Sequence, residues 1–151
     1  MAVDELLVRR RDEILDKAYE GLRRSHPAHY ESSGEQLTRE WLTELFDIVV
    51  AALRDRRLEP VARYGELIAE QRFEAGFGIA EVQTAFNVME ETIWRHVVAD
   101  LPAEDLPEAL GLVGTVLGLA KDVLARRYVS LAARRHVPSL DLTALFSGIE
   151  S

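Results

Sequence analysis

"QRFEAGFGIAEVQTAFNVMEETIWRHVVAD", residues 71–100, holds the pattern that decides the fold. From Ile79 onward, apolar residues return at steps of three and four: Ile79, Val82, Phe86, Met89, Ile93, and then His96. That spacing sets all six on one face of an α-helix. Just before it, Phe77 stands between Gly76 and Gly78. Gly76 suits the left-handed backbone that ends a helix, and Gly78 permits a sharp start to the next. The stretch therefore reads as a tight corner between two packed helices, with Phe77 swung inward as a plug.

Working outward, the same period fills the chain. A first helix is expected over Asp4–Arg24, with Val3, Leu7, Ile14, Ala18 and Leu22 on its apolar side. "SHPAHYESSG" (25–34) reads as a loop. Ser33 and Gln36 are spaced as a capping box for a second helix. That helix carries two stripes, Leu37/Trp41/Leu45/Ile48/Ala52 and Leu42/Phe46/Val49/Leu53. Pro60 fits the first turn of a third helix running to about Ala75. The fourth follows the corner and stops before Pro102. The fifth spans about 106–136, with Leu106, Leu110, Val113, Leu117, Ala120, Leu124, Tyr128 and Leu131 on one side, and Pro138 ends it. "SLDLTALFSGIES" (139–151) makes a short sixth. No stretch alternates at period two. The expected fold is an all-α bundle of five main helices plus a short C-terminal one, in a single domain over 1–151.

Composition narrows the function. With 26 acids against 18 bases, the net charge of −8 argues against a general nucleic-acid binder, which needs basic residues to meet phosphates. There is no cysteine, which excludes disulfides, zinc–thiolate sites and cysteine nucleophiles. The opening "MAVDELLVRRRDEIL" shows no secretory signal, and the longest apolar run, "ALGLVGTVLGLA" (109–120), is too short for the roughly 20 residues of a membrane span. A cytoplasmic protein is expected.

Candidate sites are few. His26 and His29 make H-x-x-H, but Pro27 sits between them in the expected loop, so no metal site is assigned. His96 lies on an otherwise apolar seam, and with Phe86, Met89 and Ile93 it marks a candidate ligand pocket, for haem or a small apolar molecule. The competing reading is a half-buried, hydrogen-bonded histidine at the end of the bundle. Residues 70–108 hold nine acids and two bases, yet the adjacent Glu90 and Glu91 point about 100° apart and do not converge on one site. Gly111, Gly114 and Gly118 lie on or near one side of the fifth helix, where small residues allow close backbone approach. With Leu117 and Leu124 they mark either tight internal packing or a homodimer seam. No catalytic triad, phosphate loop or nucleotide fingerprint is present, and no enzyme chemistry or cofactor is nominated.

Arg72, Gly76, Ile79, Glu81, Val82, Phe86 and Trp94, followed by a long helix ending near "ARRYVSLAARR" (125–135), form a pattern over about residues 5–135. It resembles the N-terminal sensor domain of RsbT co-antagonist proteins, the stressosome components. The resemblance implies an all-α, globin-related domain, usually dimeric and often without haem, that passes a signal along its terminal helix to an output domain. That output domain's phosphorylation sites have no counterpart among these residues.

Overall fold

The computed structural model describes residues 1–136; the short sixth helix expected over 139–151 lies outside them. Among the described residues there are seven α-helices, one 3₁₀ turn and no strand: α1 Val3–Arg9, α2 Arg11–Arg24, α3 Ala28–Ser33, α4 Glu35–Asp55, α5 Glu59–Glu74, α6 Ile79–Asp100 and α7 Leu106–His136. The all-helical bundle read from the spacing is the fold. Its core is continuous, with Leu7, Ile14, Phe46, Val49, Val61, Val82, Met89, Ile93, Leu117 and Leu124 all fully buried. Burying such side chains contributes roughly 1.5–3 kcal/mol each, which is what holds short helices in place.

α7 is the axis of the assembly. It packs along α5 and also touches α4 and α6. Gly65 of α5 permits the closest approach: a Cβ there would sit 3.1 Å from the Val123 side chain and 3.2 Å from the Ala120 carbonyl oxygen. At 31 residues, α7 is about 45 Å long at 1.5 Å per residue.

Four local expectations change. The first helix is two, because Arg10 leaves helical dihedrals (φ −100°, ψ 14°). No glycine or proline marks this break. Arg10 bonds Asp100 on α6 while Arg11 bonds Asp47 on α4, so consecutive side chains are drawn to different neighbours. The expected loop 25–34 contains α3. Ser33 does not cap α4: its hydroxyl donates to the His29 carbonyl inside α3, and Gly34 (φ 92°) makes the junction. In the expected stripe of α4, Leu37 is exposed, whereas the Leu42/Phe46/Val49/Leu53 stripe is buried throughout.

Candidate functional site

Two parts of the molecule carry polar or exposed groups that packing alone does not explain. The first is the glycine corner. Gly76 is left-handed (φ 86°), as expected, while Gly78 is extended (φ −71°, ψ 148°) and serves as the N-cap of α6. Phe77 is buried. Its ring meets Tyr30 at 4.9 Å, His29 at 5.1 Å and Trp41 at 5.9 Å between centroids. Arg72, from the last turn of α5, lays its guanidinium 3.8 Å over Trp41. Glu81 accepts from the Gly78 N–H at 3.0 Å, from the His29 N–H at 3.0 Å, and faces His29 Nδ1 at 2.8 Å. Burial alone would raise its pKa, but the two backbone donors and the imidazole outweigh that and hold the carboxyl below its ordinary range. From α7, the Tyr128 hydroxyl donates to the Phe77 carbonyl, and burial pushes that phenol up to about 12, so it stays a neutral donor. The corner thus ties α3, α4, α5, α6 and α7 at one point.

The second part is the outer face of α6 and α7. Gly111 and Gly114 are exposed and Gly118 is half-buried, and a Cβ at any of the three would meet nothing within 4 Å. Internal packing therefore does not account for these glycines. Trp94 is 47% exposed and Val98 43% exposed on the adjoining face of α6. Trp94, Leu110, Val113 and Gly114 line an open groove of about 400 Å³ with Asn87, Glu90 and Glu91. Leu117 and Leu124, by contrast, are fully buried in the subunit's own core.

The seam residues Phe86, Met89 and Ile93 are sealed in the core as well. His96 is buried, with Nδ1 2.9 Å from the Thr92 carbonyl. Its Nε2 has no hydrogen-bond partner and lies 3.6 Å from Glu13. His96 joins Lys17, Gly21, Arg24, Val88 and Arg95 in lining a groove of about 730 Å³ between α2 and α6, which the three apolar seam residues do not reach. His26 and His29 turn to different acids, Glu31 and Glu81. Among the described residues, no three His, Asp or Glu side chains are placed to hold a metal ion, and no helix is long and apolar enough to cross a membrane.

The exposure of Trp94 and the tether between His29 and Glu81 were not read from the sequence. Trp94 does fall one step off the α6 seam after Ile93, which is a signal for the first. The second joins residues 52 apart and leaves no local trace.

The described residues form an all-helical bundle with a hydrogen-bonded corner and an uncovered helical face. Residues 12–137 match the family model described as the RsbT co-antagonist protein rsbRD N-terminal domain, and the chain belongs to that family. Its members are regulatory domains associated with the stressosome. No curated protein sequence and no solved structure matches the chain.

Proposed function

We propose that this is a non-enzymatic regulatory domain of the bacterial cytoplasm, acting by pairing with a second copy and through a signalling partner. One observation carries the reading: Gly111, Gly114 and Gly118 face open space beside an exposed Trp94. A glycine inside a helix costs roughly 1 kcal/mol relative to alanine. Three on an exposed face, with no internal contact to offset them, fit a face that another helix approaches closely. The charges at its edge come in both signs, Lys121 with Glu90 and Arg95 with Glu91, so the edge does not repel a copy of itself. In this reading Leu117 and Leu124 back the face from inside, while the glycines and Trp94 make the contact. α7 then joins that face to the corner through Tyr128 and carries a packing change between them.

Sedimentation of the purified chain tests this directly. A dimer is expected, and Gly114→Leu should return it to a monomer with its helical signal intact. A chain that is monomeric at every concentration overturns the reading.

The place of His96 on the wall of the α2–α6 groove favours a second reading, in which that groove takes haem or a small apolar ligand. Added haem would then give an absorbance band that His96→Ala abolishes. A spectrum unchanged by haem removes the haem version.

A further inference from the structure

Among the described residues, two basic side chains are buried, Arg72 at 4% exposure and His96 at 7%. The Arg72 guanidinium lies over the ring faces of Trp41 and Phe77 and keeps its charge at every working pH. His96 differs, because an imidazole changes charge between about pH 5 and 8. Its Nδ1 lies 2.9 Å from the Thr92 carbonyl oxygen, one turn back on α6. A carbonyl only accepts, so Nδ1 carries a hydrogen and donates it. In the neutral ring, Nε2 is then a bare lone pair. That atom is buried and has no hydrogen-bond partner. The carboxylate beside it is Glu13 of α2, with Oε1 at 3.6 Å. Two acceptors thus face each other where α2 meets α6. A proton on Nε2 turns that opposition into an attraction, since an N–H then points at a carboxylate.

The surrounding charges come from several elements. On α2, Lys17 holds the same Glu13 oxygen at 2.9 Å, and Glu20 and Arg24 stand further along the groove wall. At the α1–α2 break, Arg10 lies 3.8 Å from Glu13 and bonds Asp100. On α6 itself, Glu91 and Arg95 pair with each other. α1 also packs on α6, but turns Leu6 and Leu7 into the core rather than Asp4, Glu5 or Arg9. From α4, Asp47 and Arg39 are bonded to Arg11 and Asp16; from α7, Lys121 is bonded to Glu90. Lys17 and Arg10 oppose a further positive charge, yet both are exposed and screened by water, whereas a buried contact is screened much less. Glu13 stays an anion through the histidine range, because its bond to Lys17, aided by His96, holds its carboxyl below the usual value.

We propose that His96 and Glu13 form a proton-operated clasp between α2 and α6, which a proton on Nε2 closes and its loss opens. The Nδ1–H stays on the Thr92 carbonyl in both states. Water supplies and removes the proton at the half-exposed Glu13 edge. Glu13 stands outside the wall of the α2–α6 groove, so the clasp needs no ligand there, and neither residue belongs to the pairing face. The clasp stabilises the fold fully where imidazole is charged, below its ordinary value of about 6.5. That contribution falls away as pH rises through and above this range.

Urea unfolding of the unaltered chain and of Glu13→Gln tests the clasp, at about pH 5.5 and about pH 8 and at one protein concentration. Glutamine keeps the shape, removes the charge, and can donate to a bare Nε2. The unaltered chain should hold an advantage near the lower pH that shrinks by about tenfold in the unfolding constant near the higher one. Lys17 and Arg10 keep their charge throughout, so their loss of Glu13 is equal at both ends and cancels. His26, His29 and His136 are common to both chains and cancel likewise. In the ¹⁵N-labelled unaltered chain, the His96 ring should show Nδ1–H with a bare Nε2 near the higher pH and gain an Nε2–H near the lower. An advantage that is constant, or that grows toward the higher pH, overturns the clasp. So does a neutral ring that carries its hydrogen on Nε2. Should Glu13→Gln fail to fold, the ring signals decide alone: a His96 still neutral near the lower pH overturns the proposal.

Discussion

At the scale of single residues, Glu81 has the most definite consequence. Its folded pKa is depressed, so it stabilises the fold fully above the ordinary glutamate value of about 4.3. That contribution falls away as pH drops from there through the lower folded value. Glu81→Gln should flatten this acid limb of a pH–stability curve, measured by urea unfolding. Glu81→Ala, which strands the N–H groups of Gly78 and His29, should cost about 1–3 kcal/mol at neutral pH. Arg72 behaves differently. Arg72→Met removes a cation–π contact of about 2 kcal/mol but also a desolvation penalty of several kcal/mol, so unfolding should show no net loss. Arg72→Ala leaves a cavity beside Trp41 and should be clearly destabilising. The burial of Arg72 could not be read from the sequence, because arginine is among the residue types most often exposed.

Among the elements, α7 gives a contrast that can be measured on one helix pair. Gly65→Ala on α5 places a methyl 3.2 Å from the Ala120 carbonyl oxygen, and that backbone cannot yield. The overpacking, about 1–3 kcal/mol, exceeds the propensity gain of up to ~1 kcal/mol, so thermal unfolding should show destabilisation. Gly114→Ala meets nothing within the chain and should stabilise an isolated subunit by up to ~1 kcal/mol. Equal signs for the two would contradict the packing of α7. The long helices were legible because each repeats its apolar side over several turns, as Leu42, Phe46, Val49 and Leu53 do. α3 was not, since contacts from outside the helix hold it: the Thr38 hydroxyl on the Tyr30 carbonyl, and Glu81, 52 residues away, on His29. The break at Arg10 falls where that side chain meets Asp100, 90 residues away. Of the candidate sites, the glycine side of α7 and the place of His96 on its seam could be read from spacing. Which glycines meet a neighbour depends on how α5 and α6 lie against α7, and spacing within one helix does not contain that.

For the whole molecule, the proposed pairing through the α6–α7 face, if it holds, makes stability depend on the amount of protein. Whatever binds the folded chain and not the unfolded one raises its melting temperature by mass action, and in that proposal the binder is a second copy. The melting temperature should therefore climb with protein concentration, and should stop climbing in a Gly111→Leu/Gly114→Leu chain. Salt separates this from a charge-driven association. Each copy carries −8, so two copies repel at long range. Gly111, Gly114, Trp94 and Val98 of the proposed seam are uncharged, and Glu90 and Glu91 beside them are already paired within the subunit, with Lys121 and Arg95. Screening should then help: moving from low salt to about 0.15 M, where the Debye length is about 8 Å, should tighten pairing. Sedimentation across that range reads the effect. If added salt instead dissociates the pair, ion pairs rather than the small-residue face of α7 hold it together, and the contact lies on another part of the surface.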